Sequence, residues 1–249
     1  MRRLAIIGGT GIEQLEDFSQ LDRRCPETPY GQPSGAIVEG RLRGIPLYFL
    51  QRHGRPRAVP PHLINYRANL WALKSLGVTE IVAINAVGGI APAMQLGRLV
   101  IPDQLVDYTW GRAHTFDDGS DGILHHIEST EPYDRELRAA LLAAAAAAGI
   151  PCADGAVYGV AQGPRLETAA EIRRMARDGC DVVGMTAMPE ASLARELGLA
   201  YASVCMVVNA AAGLGDIPLT LAAMRAVLAS EAEVVGRLVS ELLPARYGA

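Results

Sequence analysis

The chain has 249 residues, half of them hydrophobic, with a net charge of −4 and a pI near 5.8. That is enough apolar material for one large α/β domain, and 1–249 reads as a single unit because no linker, repeat or composition shift divides it. The acidic balance leaves no broad basic field, which excludes nucleic acid or an anionic membrane surface as partner.

Leu4–Gly8 reads as a short apolar strand running into Gly8, Gly9, Thr10 and Gly11, a turn whose N–H groups and Thr10 hydroxyl suit an anion. A plain glycine turn after an edge strand explains it equally well, and neither GxGxxG nor GxxxxGK[ST] occurs. Segments 36–40 and Ile45–Gln51 flank Arg41 to Gly44 as a hairpin whose second strand ends in Arg52 and His53. That pair offers an arginine fork and a further donor to a dianion. A helix is expected over 63–76, with Leu63, Leu70, Leu73 and Leu76 apolar and Gly77 as stop.

Glu80–Gly89, EIVAINAVGG, is the segment around which the rest is organised: a continuous apolar run expected to be a strand buried on both faces. Such strands present ligand sites at their carboxyl ends, so Asn85, Ala86, Gly88 and Gly89 form the expected floor of one. Another strand is expected over 99–108, then a polar loop over 109–131. In that loop Asp117, Asp121, Gly122 and Glu128 mimic part of a calcium loop, but Gly119 stands where a third oxygen ligand belongs. Loop residues His114, His125 and His126 have no metal-ligand spacing, and no metal site is expected.

Helices follow at 137–148 and 168–177 and strands at 155–161 and 181–184. Between them Arg165 and Glu167 sit in a Gly-Pro turn, where capping and ion pairing compete with ligand contact as explanations. Met185 and Thr186 open a helix through Glu196. A final strand over 201–208 ends at Asn209, whose amide both donates and accepts. The C-terminal helix places Met224, Val227, Leu228, Val235, Leu238, Val239 and Leu242 on one face. The expected fold is therefore α/β, a central mixed, largely parallel twisted sheet flanked by helices. The lack of any run of ~18 apolar residues and four scattered cysteines without a CxxC pair point to a soluble cytoplasmic protein.

Five strand-end stretches stand in order: GGTG at 8–11, RHG at 52–54, NAVGG at 85–89, QGPRLET at 162–168 and GMTAMPE at 184–190. Over nearly the whole chain these resemble the trimeric nucleoside phosphorylase family, which includes 5′-methylthioadenosine phosphorylases and 6-oxopurine nucleoside phosphorylases. GMTAMPE, RHG and NYRAN at 65–69 resemble its methylthio-nucleoside branch. The resemblance implies reversible phosphorolysis with inorganic phosphate as co-substrate, no cofactor, and a homotrimer. It implies Arg52, His53, Glu167 and Asn209 as the catalytic set. Thr10, Arg52, His53, Ala86 (through its backbone) and Thr186 would hold phosphate, and Met185 and His126 would line the sugar and its 5′ end, His126 from a neighbouring subunit. Gly88, Leu166, Glu167 and Asn209 would meet the base.

Family members specific for 6-oxopurines pair Glu with Asn where this chain has Glu167 and Asn209, and hypoxanthine's N1–H suits a carboxylate acceptor. No His follows His126, and 217–224 is apolar, which suits a 5′-methylthio group; S-methyl-5′-thioinosine is the expected substrate. Leu166 in place of an aromatic and Arg57 in place of a His depart from the branch. The alternatives are a general inosine/guanosine phosphorylase, a methylthioadenosine phosphorylase, and a nucleoside-binding protein without turnover. Replacing Arg52 is expected to weaken phosphate binding and leave the fold intact.

Overall fold

The computed structural model describes residues 2–8, 18–54, 58–215 and 221–248, with 221–232 by backbone alone. Thr10, Arg57, the glycines at 9 and 11, the apolar stretch 217–220, and the side chains of Met224, Val227 and Leu228 lie outside the described residues. Within them, eleven strands form one mixed sheet flanked by helices. β1 (Leu4–Gly8) lies between β4 (Ile45–Gln51) and β5 (Glu80–Gly89), parallel to both, so it is an interior strand. β11 (Ala200–Ala210) runs parallel to β5 along its whole length.

Side chains alternate between the faces of these strands, and both faces are covered, hence the unbroken apolar runs. On one face Leu4, Ile6, Val82, Ile84 and Val204 pack against α2 (Arg135–Ala147) and α5 (Leu221–Tyr247). On the other, Ala5, Ile7, Ile81, Ala83 and Tyr201 pack against α1 (Tyr66–Ser75) and α4 (Ala187–Glu196). Val235, Leu238, Val239 and Leu242 of α5 are buried. Its last turn is pinned to the start of β5, where Glu80 accepts from Arg246 Nε at 2.8 Å and Nη2 at 3.0 Å and from the Tyr247 hydroxyl.

Several boundaries differ from expectation for local reasons. The strand expected over 99–108 is two, β6 (Leu99–Ile101) and β7 (Gln104–Asp107), because Pro102 cannot donate to a ladder. Segment 155–161 is preceded by β8 (Cys152–Asp154) and shortens to β9 (Val157–Val160). β2 (Phe18–Arg24) pairs with β3 (Ile37–Leu42) at the sheet edge; charged and exposed, it carries no apolar signal. Leu63 belongs to a 3₁₀ turn at Pro61–Leu63 and is exposed, since Asn65 caps α1 by accepting from Ala68 N.

Candidate active site

β5 has a complete neighbour on one edge and an incomplete one on the other. β11 covers the first from Glu80 to Gly89. On the second, β1 pairs only as far as Ala83, and β10 (Val182–Gly184) arrives antiparallel at Gly88 and Gly89, which leaves 84–87 without a strand partner on that edge among the described residues. Ile84 O points into this gap and receives Arg52 Nη1 at 2.9 Å. Backbone groups alternate edges along a strand. Gly89 O accordingly turns to Ala211 on the β11 side, and the N–H of Ile90, which follows β5, turns to Asp181, which precedes β10. The N–H and C=O of Ala86 therefore project into the gap, and Ala86 is the one exposed residue of an otherwise buried strand.

Arg52 closes one end of the gap. Its N–H meets Gly8 O at 3.0 Å, and its buried guanidinium grips Glu190 through Nε–Oε2 and Nη2–Oε1, each 2.8 Å. Nη2 also reaches Ile7 O at 3.4 Å. Burial opposes its charge, but Glu190 outweighs burial and the pKa is raised. Glu190 Oε1 also accepts from the Tyr201 hydroxyl at 2.9 Å. Of the five guanidinium N–H groups, four have acceptors among the described residues, which leaves one Nη1–H for a ligand.

His53 Nδ1 lies 2.9 Å from Val59 O, and since a carbonyl only accepts, Nδ1 carries the proton. Burial lowers the pKa of the ring. Near neutral pH Nε2 is then an acceptor, suited to a protonated phosphate oxygen or a sugar hydroxyl. The donor role expected of His53 would need a second proton.

Thr186 and Asn85 bridge the other end. Asn85 Nδ2 donates to Thr186 Oγ1 at 2.9 Å, both residues buried, so the Thr186 hydroxyl proton remains available to a ligand. Asn85 Oδ1 is buried and has no partner among the described residues. Thr186 is the N-cap of α4, yet its side chain makes no cap bond. Met185 packs under Gly163, where a Cβ would lie 2.5 Å from its Sδ.

The residues expected to meet the base begin beyond Gly88. A Cβ there would be 3.0 Å from Asn209 Nδ2 and 3.3 Å from Val183 Cγ1, so glycine is what lets the amide lie over the strand. Asn209 sits inside β11, just past a register shift between Val207 and Asn209, and donates to Ala210 O at 2.7 Å. Glu167 precedes α3 (Ala169–Arg177), whose first residue abuts the turn after β11: a Cβ on Gly213 would come within 2.5 Å of Ala169 Cβ. Burial raises the Glu167 carboxyl above the usual range. Capping falls to Thr168 and Glu171, and Arg165 pairs with Glu171 through two bonds of 2.8 and 2.7 Å, holding that carboxyl at about 2. Arg165 is thus an ion-pair residue, while Glu167 makes neither contact. Leu166 is 40% exposed, near a cleft of about 430 Å³ that Glu167 helps to line.

His126 lies on the exposed loop 109–131, not in the gap. Nearby Glu128 and Glu131 are held by Arg195, at the end of α4 away from Thr186. Two residues of weight escaped the sequence reading: Glu190, which looks like an ordinary helix-start carboxylate, and Arg112, which looks like loop charge. Among the described residues no cluster of His, Cys, Asp or Glu could hold a metal, and no helix is long and apolar enough to cross a membrane.

An α/β sheet whose strand β5 has an unfilled rung near its carboxyl end, with Arg52 bonded at Ile84 and Thr186 bonded to Asn85, offers donors suited to a small anion. The chain belongs to the phosphorylase superfamily, whose family model matches residues 3–244. It is 54% identical over 88% of its length, and 89% of the relative's, to a protein of Pseudomonas syringae pv. tomato named as a probable S-methyl-5′-thioinosine phosphorylase. It is 43% identical over 98% of its length to a 6-oxopurine nucleoside phosphorylase of Pyrococcus furiosus, covering 93% of that protein. Among solved structures, methylthioadenosine phosphorylase from Schistosoma mansoni in complex with adenine matches with a TM-score of 0.93 at 31% identity, covering all of this chain and 93% of the other.

Proposed function

We propose that the protein catalyses reversible phosphorolysis of S-methyl-5′-thioinosine to hypoxanthine and 5-methylthioribose 1-phosphate. A phosphate oxygen attacks the anomeric carbon with inversion, the bond from that carbon to N9 breaks, and the purine leaves with the bonding pair and takes up a proton. Phosphate occupies the gap beside β5, met by the Ala86 N–H, the Thr186 hydroxyl, the remaining Arg52 N–H and His53, with Thr10 as a further ligand. An anion held there stabilises a sugar with oxocarbenium character, so positioning and electrostatics supply most of the catalysis. Inorganic phosphate is the co-substrate and no cofactor or metal is needed.

The observation that carries the reading is the Asn209 amide over Gly88; Glu167, half-buried and preceding the helix whose first residue abuts the turn after β11, would work with it. A carboxylate accepts the N1–H of hypoxanthine and the amide meets its O6/N7 edge, whereas adenine's N1 would face Glu167 with a lone pair. Preference for the 5′-methylthio group is supported by the Pseudomonas relative's name; in this reading Met185 lies against the sugar and a neighbouring subunit's His126 at the 5′ end of a cytoplasmic homotrimer. The Pyrococcus relative supports a second reading, a general 6-oxopurine nucleoside phosphorylase. Phosphate-dependent base release from methylthioinosine, methylthioadenosine and inosine, compared by kcat/KM, tests both. Methylthioinosine is expected to lead; equal use of inosine selects the second reading, and a lead for methylthioadenosine overturns the base assignment.

A further inference from the structure

Arg112 is 8% exposed, and all five of its N–H groups have acceptors. Nε donates to Gln162 Oε1 at 3.2 Å, and Nη2 to Gln162 O at 2.7 Å and Ala161 O at 3.4 Å. Nη1 reaches Met185 O at 2.9 Å, Met188 O at 2.5 Å and the Tyr66 hydroxyl at 3.3 Å. These acceptors lie mainly on two turns that leave neighbouring parallel strands, β9 and β10. One leads to Leu166 and Glu167, and the other carries Thr186.

The six acceptors are all neutral. Arg52 and Glu190 sum to no net charge, whereas Arg112 has no carboxylate bonded to it among the described residues, and the opposite charge acting on it, Asp107, lies beyond ion-pair distance. With every donor engaged it has no hydrogen to give a ligand.

We propose that Arg112 is a positioning residue for the two-substrate site: its fork fixes the base-reading turn relative to the Thr186 turn, and its charge, bonded only to neutral acceptors, favours the phosphate dianion. This rests on the phosphorolysis reading above. A lysine would keep the charge, but as a single ammonium it cannot span both turns.

The test compares Arg112→Lys and Arg112→Met in the full chain, with phosphate and nucleoside saturated separately and hypoxanthine and inorganic phosphate titrated by calorimetry without turnover. Arg112→Met is expected to raise the phosphate KM about tenfold or more and to cut kcat/KM for the nucleoside on the order of 100-fold. Arg112→Lys is expected to hold the phosphate KM within about threefold of the parent while leaving nucleoside kcat/KM and hypoxanthine binding depressed. Folded variants that match the parent, or an Arg112→Lys variant that loses both substrates equally, overturn the proposal. Should Arg112→Met not fold, Arg112→Lys decides alone: retained phosphate KM with weakened hypoxanthine supports it, and parental values for both overturn it. A parent that releases no base from any nucleoside overturns the phosphorolysis reading itself, a result distinct from variants that match an active parent.

Discussion

Arg52 and Glu190 hold each other through two bonds of 2.8 Å, with side chains 3% and 0% exposed. Removing one partner of a buried pair strands the other charge, at a cost of about 3–5 kcal/mol. Arg52→Ala is therefore expected to destabilise the fold as well as weaken phosphate binding, contrary to the expectation from sequence that the fold would stay intact. The double variant Arg52→Met, Glu190→Leu is expected to recover most of the stability without recovering phosphate saturation. Denaturant midpoints and phosphate KM together check this; normal saturation in the folded double variant would remove Arg52 from the site.

Thr186→Val deletes a hydroxyl and leaves Asn85 Nδ2 without its acceptor. Phosphate KM is expected to rise about tenfold or more, with Thr186→Ser restoring most of the loss. If valine is tolerated without change in phosphate KM, the Thr186 hydroxyl does not meet phosphate.

The double variant Glu167→Ser, Asn209→Asp is expected to shift preference toward 6-aminopurine nucleosides, because it swaps the acceptor for N1–H and offers a carboxylate to an exocyclic amine. Unchanged selectivity would mean the base is read elsewhere.

Burial raises the Glu167 pKa, and the sign of its effect is definite. Between the usual carboxyl value and the raised one, the folded chain holds a proton that the unfolded chain has lost, so this group's contribution to stability falls as pH rises through that window. Accepting a base N1–H needs the ionised form, so kcat/KM is expected to rise with pH across the same window. In Glu167→Gln the rate is expected to be lower and that acid limb absent; an unaltered limb would assign it to another group.

Gly88→Ala brings a methyl group to 3.0 Å from Asn209 Nδ2. The amide must move, and nucleoside KM is expected to rise on the order of tenfold with phosphate KM little changed. Equal effects on both substrates would mean the strand itself had shifted.

The interior of this fold was open to a sequence reading and its edges were not. β5 and β11 announce themselves because strands buried on both faces need apolar residues at every position, and β1 does so in five residues. β2 has no such need, and only pairing with β3 makes it a strand. In the candidate site, Ala86, Thr186 and Asn209 stood out because small or polar residues closing an apolar run are conspicuous. Glu190 and Arg112 were not, since each acts on groups more than 40 residues away in the chain: Arg52 for the one, the 161–162 and 185–188 turns for the other. Local pattern does not encode such pairings.

Among the described residues, the change of partner along one edge of β5 leaves its ladder unfinished. A bound phosphate that takes the Ala86 N–H becomes the missing rung, supplied by the substrate in place of a strand. Occupancy should then register as backbone protection: slowed hydrogen exchange centred on Ala86 when phosphate is added, and little change on the β11 side, where the ladder is already complete.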